Sequence, residues 1–551
     1  MFAVDVCRLP ETGGSIFVVV AGLFLLIAGV IVTRWVRASA GRMSVVVAPL
    51  VLLGGFVLAP SVTDPCSPTT TVVPTTTMVA STTTMVTSTT TVAPTTTVAP
   101  TTTVVPVDPN LVLEIDTTLA APVNSDSVSA AEESIVFELG FWGEVDVHVD
   151  WGDGSTDNVS VAGPFPHTYA MSGRYTITVS GSLTGFGQDP LSFWNPLNGA
   201  HYLTAVRSFG ELGISSFAYA FLASVNLIDV PSNLPVTVTN MSAMFAGASS
   251  FNQSLNNWDT GQVTDMSAMF SGASSFNQSL NNWDTGSVTN MSYMFSAAWS
   301  FDQSLNNWDT GSVTNMIWMF AGASSFDQSL NNWDTGSVTD MSNMFSAAES
   351  FDQSLNSWDT GLVTDMRNMF VDATSFNGDV SGWDTASVTN MSWMFTRASS
   401  FNQNLNNWDT GLVTDMSLMF SAAESFDQSL NNWDTGLVTN MSFMFRYATE
   451  FDQSLGAWDI SRVSNMEYML DNSALSVDNY DETLKGWADI QQAKQPDVVL
   501  GAAGLFFSSD GASAHSELTG CGSRWQIFDA GNQEVASMSL KADSQLVTMA
   551  C

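Results

Sequence analysis

The residues able to do chemistry are few and scattered. The chain holds four histidines, His148, His167, His201 and His515, and none falls in its repetitive block. No Ser-His-Asp spacing, H-E-x-x-H string, C-x-x-C pair or phosphate-cradling glycine loop occurs. The common nucleophilic, zinc and nucleotide chemistries therefore have no candidate residues. Carboxylates are plentiful, and two of them suitably placed can act as acid and base. Yet they recur with a fixed period, whereas a catalytic centre is a single place. The reading is of a non-enzyme. One periodic set invites a binding role: Asn252, Asn277, Asp302, Asp327, Asp352, Asn377, Asn402, Asp427 and Asp452. Stacked at roughly 5 Å, such carboxylates repel unless water or a cation screens them. Calcium along this ladder is the one cofactor the sequence suggests, set against plain solvated side chains.

What positions these residues is a repeat. From Val238 to Leu470 the chain recurs as a 25-residue unit without insertion or deletion, reading V-T-N/D-M-S-x-M-F-x-x-A-x-S-F-N/D-Q-S-L-N-N-W-D-T-G. Trp258, Trp283, Trp308, Trp333, Trp358, Trp383, Trp408, Trp433 and Trp458 fall in one column. Phe251 to Phe451 form a second and Met241 to Met466 a third. Strict register at a short period marks a solenoid, in which each unit buries its apolar face against its neighbours. The closing Asn281-Asn282-Trp283-Asp284-Thr285-Gly286 is turn chemistry. The expected rung has a short helix at Ser267–Ala273 and strands near Gln278–Trp283 and Val288–Met291. Stacked at about 4.8 Å per rung, the rungs would make a rod on the order of 45 Å long. The residue after M-S varies while its neighbours do not: Ala268, Tyr293, Trp318, Asn343, Asn368, Trp393, Leu418, Phe443, Tyr468. Tyr293, Trp318, Trp393, Phe443 and Tyr468 are the candidate binding face, because exposed aromatics dominate binding hot spots. The competing reading packs them on the next rung.

The strings VTNMSYMF and FNQSLNNWDTG resemble the BspA-like bacterial surface proteins, which carry leucine-rich-repeat-like units of this same length. Leu475–Asp481, Leu484–Trp487 and Trp525–Asp529 look like that family's closing segments. The resemblance implies an exported adhesin or contact protein and no catalysis.

Upstream, residues 1–63 hold Leu9-Pro10-Glu11-Thr12-Gly13, an apolar run Ile16–Val32, then Arg34, Arg37 and Arg42. In that order they resemble the LPXTG cell-wall sorting signal of a Gram-positive bacterium, which sortase cleaves after the Thr. Such signals normally close a chain, and this one opens it. A second apolar run spans Val45–Ala59. Two readings stand: a membrane hairpin with the arginines inside, or a cleaved signal peptide at Arg34–Ala59. Both export the remainder of the chain. Residues 64–107 are a Thr/Pro-rich stalk, too poor in core-forming residues to fold. Residues 108–190 alternate like strands. Asp150-Trp151-Gly152-Asp153-Gly154-Ser155 with His167-Thr168-Tyr169 resembles a PKD domain. That implies a small immunoglobulin-like β-sandwich with Trp151 in its core, Asp153-Gly154 in a turn and a structural His167. Residues 191–237 and 471–551 read as the two caps of the repeats.

The chain as a whole is thus mainly β with short helices. Four cysteines, Cys7, Cys66, Cys521 and Cys551, lack metal-ligand spacing, and Cys521 with Cys551 can pair outside a cell. The formal charge of −39, from 53 acidic and 14 basic residues, disfavours nucleic acid, which needs clustered Lys and Arg. The expected partners are an extracellular protein or a glycan, with the membrane met through the N-terminal apolar runs. The leading function is a surface adhesin that presents a repeat rod on a stalk. The alternative is a structural envelope spacer with no dedicated ligand.

Overall fold

The computed structural model describes residues 108–121, 134–189 and 196–534. The LPETG string, both apolar runs, the stalk, Cys7, Cys66 and Cys551 lie outside the described residues. Among the described residues no helix is long and apolar enough to cross a membrane. They all fall within one compact unit.

Six strands open it: β1 Leu111–Asp116, β2 Ile135–Asp150, β3 Thr156–Val159, β4 Gly163–Tyr169, β5 Arg174–Phe186 and β6 Leu203–Phe209. Alternating apolar residues point inward, as in Leu111, Leu113 and Ile115 of β1. A two-sheet sandwich was the expectation. The strands instead form one hydrogen-bonded antiparallel sheet in the order β3-β2-β5-β1-β6, with β4 also on β2. The long strand β2 explains the difference. Its first half pairs with β4 and its second with β3 and β5. The register shifts between Trp142 and Val145, where Gly143 takes φ 74. A bulge with a left-handed glycine lets one strand bend and serve all three partners.

Leu203–Val206, within the stretch read as the N-terminal cap, belongs to β6 and pairs antiparallel with β1. It also passes the sheet into the repeats. Ala205 bridges Asp229 in parallel, and Gly185 of β5 bridges Ser216. From there parallel bridges run Ser216 to Asn240, Asp265, Asn290 and Asn315, and resume from Asp340 to Asn465. The sheet therefore covers the first coil.

The coils hold neither the short helix nor the strands expected from periodicity. Residues 242–247 and 267–272 are turns, and 278–280 carry no regular structure. Hydrogen bonding supplies the reason. Met241, Ala243, Phe245 and Gly247 donate their N–H groups to the next coil, at Asp265, Ser267, Met269 and Ser271, over 2.7–3.0 Å. Met244, Ala246 and Ala248 donate back three residues to Met241, Ala243 and Phe245. Alternate amides thus close turns and reach the next coil, so neither a helical nor a sheet ladder can form. With Ser242 N–H taken by Asn240 Oδ1, every amide of this turn is satisfied, as burial demands. The arrangement needs left-handed backbone at two columns. Ala268, Tyr293, Trp318, Asn343, Asn368, Trp393, Leu418, Phe443 and Tyr468 have φ of 53–63°. Four residues on, Gly272 and Gly322 share a column with Ala297, Ala347, Asp372, Arg397, Ala422 and Tyr447.

Aromatic columns fill the interior. Successive column tryptophans from Trp258 to Trp408 stack at 6.0–6.5 Å with ring planes within 8° of parallel. Each indole N–H donates to a carbonyl of the coil before, as Trp333 Nε1 does to Leu305 O at 3.1 Å. The hydrogen bond is what allows a Trp to be wholly buried. Helix α1, Val477–Ala488, closes the column with Trp487, which donates to Leu455 O at 3.0 Å. A second helix, α2 Ala512–Thr519, and the parallel pair β7 Val499–Gly501 and β8 Gln526–Phe528 complete this end.

Candidate functional site

The Asn/Asp column lies on the coil surface, and hydrogen bonds link its members. Asn252 Oδ1 accepts the Asn277 N–H at 2.9 Å and the Gln278 amide at 3.1 Å. Asp302 Oδ1 accepts from Asp327 N at 3.1 Å and Gln328 Nε2 at 2.8 Å. The same pattern reaches Asp427, which accepts from Asp452 and Gln453. One oxygen per residue is therefore committed to the next coil. The ladder is a backbone device, and its charge is offset by N–H dipoles. Asp452 ends it by accepting from Ser476 N and Asn479 Nδ2, at the start of α1. Burial raises the Asp452 carboxyl, but those bonds outweigh it and hold it below the usual range. Among the described residues no group of three or more His, Cys, Asp or Glu side chains is arranged to hold a metal.

A second acidic column went unremarked in the sequence. Asp259, Asp284, Asp309, Asp334, Asp359, Asp384, Asp409 and Asp434 follow the tryptophans and are exposed. Each accepts the N–H two residues on, as Asp334 Oδ1 does from Gly336 at 3.0 Å. The following Thr donates to the next coil, as Thr335 does to Asp359 O at 2.8 Å. One Asp-Thr-Gly therefore makes both the turn and an inter-coil bond.

The strand residues around His167 form a tight set. Trp151 is fully buried and donates to Asp157 Oδ2 at 2.9 Å. The His167 ring stacks on it at 4.5 Å and 11°, and Nε2 lies 2.9 Å from Asp153 Oδ2. Asp153 Oδ1 also accepts from Ser155 N and Oγ. Burial works to raise the Asp153 carboxyl, but the bonds from Ser155 and His167 overcome it and bring it to about 2. Tyr169 donates to Trp151 O at 3.0 Å. These contacts tie the turn to the sheet.

The variable column divides. At its N-terminal end Ala243 and Ala268 are buried in a small apolar cluster with Tyr219, Leu222 and Ala246. Tyr293 and Trp318 are half-buried and stack on each other at 5.9 Å and 6°. Burial, aided by the Asp340 charge, raises the Tyr293 phenol. Trp393 is 36% exposed and Tyr468 46%. Phe443 stacks on Tyr468 at 4.8 Å, and Arg446 lies over both. Pattern reasoning missed Arg446, Tyr447 and Trp299. Trp299 is 56% exposed and Tyr447 44%. Each is a large side chain at an unspecified position of the unit that small or polar residues fill in most other coils, and that signal was readable. Cys521 is exposed.

Three overlapping stretches, residues 216–320, 302–404 and 373–487, match a family model described as Mycoplasma protein of unknown function, DUF285. Together they span the coils from the first bridge at Ser216 into α1. No curated protein matches the chain.

Proposed function

With the coils tied to that family of repeats, we propose that the chain is a non-enzymatic recognition protein of the cell surface. Its 25-residue coils would form a leucine-rich-repeat-like solenoid of the BspA-like type, set on the sheet domain and carried outward on the Thr/Pro stalk. The observation that carries this reading is where variation falls. Trp, Phe, Met and Leu columns are buried and nearly constant, while the left-handed column varies and sets Trp393 and Tyr468 in solvent. A passive spacer has no need of exposed rings on one column, whereas a binding surface does. The surface location rests on the LPETG string and apolar runs, and the PKD-like motif fits a stalked exterior protein. The partner class is an extracellular protein or a glycan.

The test is a binding screen of the full chain against glycan and matrix-protein arrays, with Trp318→Ala and Trp393→Ala as variants. A ligand lost on both substitutions, with unfolding midpoints preserved within about 1 °C, supports recognition. A chain that binds nothing, or a ligand indifferent to both, favours the spacer.

A further inference from the structure

The described arginines differ in how they are held. Arg174, Arg207, Arg367, Arg397 and Arg524 each face a carboxylate. Arg462 and Arg446 form no ion pair among the described residues; Arg462 is exposed, whereas Arg446 is half-buried. Its guanidinium lies instead over three rings, 5.5 Å from Phe443, 4.6 Å from Tyr447 and 5.7 Å from Tyr468. Its Nη2 sits 3.3 Å from the Tyr447 hydroxyl, and its Nε is buried with no hydrogen-bond partner. Cation–π contact fixes the fork in place without neutralising it. Around it Tyr447 and Tyr468 keep nearly half their surface in solvent. The result is a preset positive fork flanked by aromatic faces and two phenol hydroxyls.

We infer that Arg446, with Phe443, Tyr447 and Tyr468, binds a saccharide that carries a single carboxylate. This rests on the recognition function proposed above and names its ligand class. A planar guanidinium matches a carboxylate with two parallel hydrogen bonds. Ring faces carry the negative side of the aromatic quadrupole, on which the polarised C–H groups of a sugar rest. The phenol hydroxyls can donate to and accept from sugar hydroxyls. Charge narrows the choice further. The chain carries −39, so a densely charged anion such as nucleic acid is repelled as a whole. The Arg446 guanidinium, unpaired in that field, suits one carboxylate on an otherwise neutral, hydroxyl-rich body. The source is either a terminal nonulosonic acid or a uronic acid within a chain, and both present this chemistry.

The test is saturation-transfer NMR and titration of the full chain with sialyllactose, a glucuronic-acid disaccharide, lactose and an acidic peptide. Binding of one or both acidic sugars, with lactose at least tenfold weaker, is expected, and the acidic sugar that binds identifies the source. Arg446→Gln should weaken binding tenfold or more and Arg446→Lys less, with Tyr468→Ala also weakening it. Arg174→Gln, on the sheet, should leave it unchanged. Unfolding midpoints of each variant separate lost binding from lost folding, and binding should fall as salt rises. Equal affinity for lactose, an unaffected Arg446→Gln, or binding of the peptide alone overturns the inference. If no sugar binds while an array ligand still depends on Trp318 and Trp393, the ligand class is wrong and the recognition function survives. If neither occurs, both fall.

Discussion

Trp333 sits mid-stack and sets the strongest single test of the packing. It is 3% exposed, with Trp308 at 6.4 Å on one side and Trp358 at 6.3 Å on the other. Trp333→Ala removes the ring and leaves a hole between two parallel indoles. Large-to-small changes of this kind cost about 3–5 kcal/mol in a core that cannot collapse. Collapse is blocked here, because the coils on both sides are fixed by backbone bonds at Met341 and Thr314. The substitution also removes the indole N–H bond to Leu305 O, which still accepts the Trp308 N–H, a loss of about 1 kcal/mol. Trp333→Phe keeps a ring in the column and loses the hydrogen bond and part of the area, for about 1–2 kcal/mol. Trp299→Ala is the internal control. The same residue type, exposed and outside the column, should cost under about 0.5 kcal/mol. Urea unfolding followed by far-ultraviolet circular dichroism reads all three. A Trp333→Ala cost below about 1 kcal/mol, or one no larger than that of Trp299→Ala, would refute the reasoning.

Further expectations concern charge. The exposed column from Asp259 to Asp434 places like charges on adjacent coils, each pair repelling by about 0.8 kcal/mol at roughly 5 Å in water before screening. Sodium chloride raised from about 0.02 to about 0.5 M should therefore raise the melting temperature, and Asp334→Asn should stabilise at low salt and much less at high salt. The other column has its Oδ1 atoms bonded to the next coil, so calcium at fixed ionic strength should shift the melting temperature no more than magnesium does, and a calcium-specific rise would restore the cation ladder. Asp153, held at about 2 against an ordinary 3.8, has a lowered folded value. Its contribution is present above the ordinary value and lost as pH falls from about 3.8 toward 2. With partial solvent screening it amounts to about 1–2 kcal/mol. Asp153→Asn should flatten the acid limb of the stability curve between those pH values, and an unchanged limb would mean that the bonds Asp153 accepts from Ser155 and His167 are idle.

Much of this was readable from spacing alone. The fixed repeat interval placed Trp258 to Trp458 in one column, because a stack with unequal coils cannot keep such columns. The path of the backbone between them was not readable. The apolar spacing of Met266, Met269, Phe270 and Ala273 suits a helix, and the residues that forbid one, at 268 and 272, are left-handed in column after column while mostly not glycine. Gly247, Gly272 and Gly322 were the available hint, blurred by Ala297 and Arg397 in the same column. The Asn/Asp column looked like a cation ladder because its hydrogen-bond donors lie a full coil further along the chain. The Gln that follows it in most coils was the clue. Gly378 takes that place in one coil, and there the column keeps only the backbone bond from Asn377 to Asp352. Arg446 escaped notice because its meaning comes from Phe443, Tyr447 and Tyr468, two of which become its neighbours only through the turn geometry and the adjacent coil.

The account rests on coils bridged in register around a dry indole column, and indole hydrogen exchange measures that directly. In the full chain the Nε1 protons of the column from Trp258 to Trp458 should exchange only through global unfolding, with rates that follow urea together. The Trp299 Nε1 proton should exchange at nearly the free rate. Column protons that exchange as fast as that of Trp299, or independently of one another at low urea, would contradict the stack.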